Sequence, residues 1–132
     1  MNCLLDTHSF LWAVFAPEKL GRKTRSIIAD ETNQICLSSI SFWEISLKFA
    51  LGKLSLNDCT PESLVPIARE MRLTLIAPDA EESASFHRLP PMLHRDPFDR
   101  MLVWQAIQRQ LVLITKDAAL PAYAQSGLKT LW

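Results

Sequence analysis

Residues 3–12 read CLLDTHSFLW, and the character of the chain changes at the fourth of them. Cys3-Leu4-Leu5 is an uninterrupted apolar run, the pattern of a short strand covered on both faces. Asp6-Thr7 then supplies residues that start helices, and HSFLWAVF continues as a helix until Pro17. A strand that hands directly to a helix is half of a βαβ unit, and the pattern recurs along the chain. Further short strands are expected at 34–37, 73–76, 111–114 and 128–131. Helices are expected at 22–31, from the Ser38-Ser39 cap to about Leu51, after Thr60-Pro61, at 80–87, and from Asp96-Pro97 to about Gln110. Gly52 and the Leu89-Pro90-Pro91 break punctuate them. Strands alternating with helices predict an α/β fold in three layers, with a central, mostly parallel sheet of four to five short strands flanked by helices. No repeat, low-complexity segment or linker divides residues 1–132, so one domain is expected.

Composition agrees. With 48% apolar and 21% charged residues the chain is ordinary for a globular protein. No apolar run reaches the ~18–20 residues needed to cross a bilayer, and MNCLLDTHS lacks a basic leader, so a cytoplasmic protein without membrane partners is expected. Three widely spaced cysteines, Cys3, Cys36 and Cys59, match neither a zinc motif nor a disulfide framework. A formal net charge of zero argues against a polyanionic partner unless the acids are gathered at one site, leaving a mildly basic rim.

The acids fall where such a site would be. Ligands of open parallel sheets bind beyond the carboxyl ends of the strands, and Asp6 and Asp117 follow two of the expected strands. Either is equally readable as a helix cap. Glu44, on the helix beginning near Ser39, shares a face with Ile40, Leu47 and Leu51 and should point inward. A buried carboxylate needs a partner. Lys48, one turn on, is the structural alternative to a metal. In HRDPFDRML, residues 94–102, Asp96 reads as the cap of the following helix with Pro97 at its first position. Asp99 lies in the sector of Val103 and Ala106, facing the interior, and is the surplus acid. Clustered carboxylates suit Mg²⁺ or Mn²⁺, and such a site can activate water and neutralise a phosphoryl group. Trp12, Phe42, Trp43, Phe49 and Trp104 are at helical spacing, which favours core or a subunit interface over base stacking. Exposed apolar residues in the 24–28 or 61–71 helices are candidate protein-binding surfaces.

The order LLDTHSFLW, SSISFWEISLKFALGKL, LPPMLHRDPFDRMLVWQA, LVLITKD and the terminal LW resembles the PIN-domain ribonucleases, and among them the VapC-type toxins of toxin–antitoxin pairs. The resemblance covers nearly the whole chain. It implies a Mg²⁺- or Mn²⁺-dependent endoribonuclease, inhibited by a cognate antitoxin, forming a homodimer and a heterotetramer or larger assembly with that antitoxin. It places the family's acidic positions on Asp6, Glu44, Asp99 and Asp117, with Asp96, Thr115 and Thr7 as supporting residues. Lys48, Arg95, Arg100 and Lys116 stand near those acids in sequence as possible contacts to RNA phosphates. A dehalogenase-like phosphatase would need an acid at position 8, where His8 stands, and a receiver domain would need an acid after a central strand. A non-catalytic PIN-like module that binds RNA or protein is the remaining alternative.

Overall fold

The computed structural model describes residues 1–92 and 94–132; within the 89–106 stretch, Leu93 alone lies outside the described residues. The expected strands form at β1 (Asn2–Leu5), β2 (Gln34–Ser38), β3 (Thr74–Ile76), β4 (Val112–Ile114) and β5 (Lys129–Leu131). They make one sheet in the order β3-β2-β1-β4-β5, and every neighbouring pair is parallel. Leu4 of β1 is in register with Cys36 of β2 and Leu113 of β4.

Alternation of side chains across the pleat explains the unbroken apolar run of β1. Leu4 packs on one side of the sheet with Leu102, Val103, Ala106 and Tyr123. Cys3 and Leu5 pack on the other with Phe10, Ile45, Leu64 and Ala68. The helices are α1 (Thr7–Phe15), α2 (Arg22–Ala29), α3 (Ser39–Ala50), α4 (Leu64–Glu70), α5 (Ala80–Ser85) and α6 (Pro97–Arg109). α6 covers the first face, while α1, α3 and α4 cover the second.

Local chemistry sets the boundaries. Asp30 accepts hydrogen bonds from the Thr32 amide (2.9 Å) and hydroxyl (2.7 Å), a turn that ends α2 two residues before the expected 31. The helix expected after Thr60 begins as a 3₁₀ turn at Pro61–Ser63, and the Thr60 side chain meets Ser63 Oγ rather than capping an amide. A 3₁₀ segment at Leu120–Ser126 was not anticipated; it buries Leu120 and Tyr123. Ile27, Ile28, Ile67 and Met71 are half-buried and pack against the core, so those helices expose only part of their large apolar side chains. The large exposed apolar side chains of the helices are Trp43, Leu47, Phe49 and, just beyond, Leu51.

The chain builds β2 and β3 on one side of β1, then crosses to place β4 on the other. The connections that leave the paired carboxyl ends of β1 and β4 therefore bound a crevice, the place where such sheets bind ligands.

Candidate active site

Asp6 and Asp117 sit at the two lips of that crevice. Asp6 accepts from the Ser9 amide at 2.8 Å, capping α1, and its own amide bonds the Ile114 carbonyl of β4 at 3.1 Å. The cap is compatible with a site, because the buried carboxylate also lines the crevice. Asp117 accepts from the Ala119 amide at 2.9 Å, and its own amide donates to Thr115 Oγ1 at 3.0 Å. Thr115 is buried and its amide bonds the Leu131 carbonyl of β5, so it fixes the Thr-Lys-Asp turn.

Glu44 is 2% exposed. Its Oε1 accepts from the Thr7 hydroxyl at 2.7 Å, with Ser41 Oγ 3.0 Å from the same hydroxyl. Its Oε2 is ion-paired with Lys48. Burial opposes the Lys48 charge, but Glu44, reinforced by Asp96 and Asp99, overcomes it and raises the ammonium's pKa. The inward prediction holds while its face is corrected: Leu47 and Leu51 point outward, and the buried stripe of α3 is Ile40, Ser41, Glu44 and Ile45. The stripe is partly polar because the crevice lies beside it, a local break in patterning typical of functional sites.

Asp96 caps α6, accepting from the Phe98 amide (2.8 Å) and the Asp99 amide (3.2 Å). The Asp99 side chain is 22% exposed and does not return to the cap; its Oδ2 lies 3.0 Å from His94 Nε2. His94 Nδ1 in turn lies 4.0 Å from Asp117 Oδ2. Burial, then the Asp96 and Glu44 carboxylates, push the Asp99 pKa up to about 6 against the opposing pull of His94. Sequence reasoning missed His94, although it stands inside HRDPFD; a loop residue five positions before Asp99 carries no helical periodicity to reveal it.

Asp6, Asp99 and Asp117 line one open pocket of about 370 Å³, with His8, Trp12 and Lys116. Ligand atoms of His94, Asp99 and Asp117 lie within 4.8 Å of one another. An oxygen-rich set carrying more negative charge than its neighbours offset fits a hard divalent cation. Such an ion would offset the burial and the carboxylate repulsion that raise the Asp99 pKa.

The expected basic contacts divide. Lys116 is exposed on the pocket wall and Arg95 is exposed beside His94. Lys48 is committed to Glu44. Arg100 is engaged within its own loop, donating to the Leu89 and Pro90 carbonyls (3.2 Å each) and to Tyr123 Oη (2.8 Å), with Phe86 beneath it. There it acts as a structural tie.

A parallel sheet with acids gathered beyond the ends of β1 and β4 defines a class of domain, and residues 3–125 match the PIN domain family. The chain belongs to that family. It is similar to Ribonuclease VapC22 of Mycobacterium tuberculosis, 26% identical over 129 residues that span 98% of this chain and 97% of that one. Among solved structures it resembles a chain of VapBC2 from Rickettsia felis bound to a promoter DNA fragment, with a TM-score of 0.72, 19% identity, and coverage of 99% and 98%. FitAcB from Neisseria gonorrhoeae is similar too, with a TM-score of 0.64, 19% identity, and coverage of 100% and 97%. None of the helices among the described residues is long and apolar enough to cross a membrane.

Proposed function

We propose that this chain is a Mg²⁺- or Mn²⁺-dependent endoribonuclease, the toxin half of a cytoplasmic toxin–antitoxin pair. The observation that carries the reading is the convergence of Asp6, Asp99 and Asp117 on one open pocket at the β1/β4 crevice. Those three carboxylates would hold the cation, with Asp96 as helix cap and Thr115 as turn support. Glu44, both oxygens engaged by Thr7 and Lys48, supplies negative charge from behind. When bound, the cation provides a Lewis acid for the phosphodiester and lowers the pKa of nearby water. Lys116 and Arg95 attract the RNA backbone. Water attack at phosphorus, with the 3′-oxygen leaving, yields 5′-phosphate and 3′-hydroxyl ends.

An antitoxin partner and a homodimer are part of the proposal. The similarity to chains from VapBC and FitAB complexes supports the first. Trp43, Leu47 and Leu51, exposed on and just after α3, offer apolar area for protein contacts. Beside them Trp43 and Phe98 pack edge to face at 5.1 Å over an apolar groove.

The test is brief induction in cells followed by mapping of RNA 5′ ends, beside an Asp99→Asn control. New 5′-phosphate ends that depend on Asp99 are expected. An unchanged transcriptome, or cuts equally frequent in the control, would sink the reading; a non-catalytic module gives that result.

A further inference from the structure

The acid pocket does not end at its own wall. His8 and Trp12 line both that pocket and a second cleft of about 360 Å³, which runs between α1 and the 54–57 loop and is bounded by Phe15, Lys19, Leu54 and Asn57. The two clefts are each of a size that holds a small organic group. Their shared wall is aromatic and braced. Trp12 meets the Trp132 ring edge to face at 5.7 Å and the His8 ring at 5.9 Å, and the Lys116 ammonium lies 5.7 Å from its centroid. His8 is exposed and Trp12 half-buried, so the wall is held by packing yet open to a ligand. Lysines stand at both clefts, Lys116 at the acids and Lys19 at the far one. An aromatic wall between cationic side chains, one step from a phosphate-cleaving centre, is the pattern of single-stranded nucleic-acid binding.

We propose that this second cleft takes the base of the RNA nucleotide adjoining the scissile phosphate, with Trp12 as the stacking surface and His8 beside it. The proposal rests on the nuclease reading.

The test uses the full chain carrying Asp99→Asn, so that RNA is bound and not cut, with Mg²⁺ present. Fluorescence anisotropy compares labelled oligo(A) and oligo(U) with an abasic ribose–phosphate oligomer of equal length. Adding Trp12→Ala is expected to weaken the base-bearing oligomers about 5- to 100-fold and to leave the abasic one unchanged. Trp12→Phe should stay within about threefold of its parent, since the ring face is kept. Equal loss for both oligomer types, or no loss, overturns the base platform while the nuclease reading stands. A cleft built for a protein segment gives that second result. Failure of the parent to bind any oligomer overturns both. Should Trp12→Ala not fold, His8→Ala at an exposed position carries the comparison: a few-fold loss for base-bearing oligomers alone is expected, and no selective loss overturns the proposal.

Discussion

Two helices of this chain open with the same spacing of acids and put it to opposite uses. Asp79 caps α5 with Glu82 three residues on; Asp96 caps α6 with Asp99 three residues on. At α5 the box closes: the Glu82 amide donates to Asp79 Oδ1 at 2.7 Å and the Asp79 amide to Glu82 Oε1 at 3.0 Å. Arg109 then clamps Glu82 with bonds of 2.8 and 2.6 Å, holding its carboxyl below the usual range despite burial. At α6 the third-position acid is one methylene shorter, leaves the cap alone and meets His94 and the crevice instead. Its pKa moves the other way, up to about 6. A satisfied acid is architecture, whereas an acid left short of positive charge is available to a ligand.

The largest break in this symmetry is expected in activity. Asp99→Asn should lower metal-dependent RNA cleavage by at least about 100-fold, more than the 10- to 100-fold typical of losing an indirect metal support. Glu82→Gln should leave the rate within about twofold. Initial rates on a labelled RNA, with both variants checked for folding by circular dichroism, decide it. Comparable losses in the two would erase the distinction.

Stability against pH should separate the acids next, measured by denaturant unfolding in EDTA. Asp99 has a folded pKa above its unfolded value of 3.8. Its proton is held more tightly in the folded state, so that stabilisation is complete below 3.8 and is lost as pH rises through about 6. Asp99→Asn should therefore gain on wild type, by on the order of 2 kcal/mol, between pH 4 and 7. Glu82 has the opposite sign: its stabilisation is present above its unfolded value of 4.5 and is lost as pH falls through its depressed folded pKa. Glu82→Gln should cost about 1–2 kcal/mol at pH 7, less than a fully buried pair because Arg109 is 32% exposed. The cost should shrink in acid. A Glu82→Gln penalty that grows on acidification would contradict the clamp.

How far this contrast was legible in the sequence follows from distance along the chain. Asp96 and Asp99 occupy one helical turn, so periodicity alone divides them into cap and inward acid, and both assignments match the geometry. The strands were legible for the same reason, since short apolar runs set between helical stretches are local signals. The Arg109 clamp on Glu82 spans 27 positions and joins two helices, and nothing in either segment announces it. The α3 face was misjudged because apolar residues were assumed to define it; Leu47 and Leu51 lie outside while Ser41 and Glu44 lie inside. His94 and the wall shared by two clefts are products of tertiary approach, visible only after the sheet has brought β1 and β4 together.

The smallest effect sharpens the comparison most, because it sets one cap against the other. Asp79→Ala and Asp96→Ala each remove a side chain that accepts helix amides, a change worth about 1 kcal/mol at a typical cap. Removing the Asp79 side chain takes away the acceptor of the Glu82 amide but leaves the residue-79 amide donating to a carboxylate that Arg109 has already neutralised. Removing Asp96 deletes a like charge that raises the Asp99 pKa, so part of the loss is returned wherever Asp99 is ionised. At pH 7 in EDTA, Asp96→Ala should therefore cost less than Asp79→Ala by a few tenths of a kcal/mol, of the order of an exposed charge–charge pair. Near pH 5, below the raised Asp99 pKa of about 6, that offset shrinks and the Asp96→Ala penalty should grow relative to its value at pH 7. Asp96→Ser keeps an amide acceptor without the charge, and it should retain cleavage within about tenfold of wild type if Asp96 acts as cap alone. A loss as deep as that of Asp99→Asn would move Asp96 from the helix to the metal.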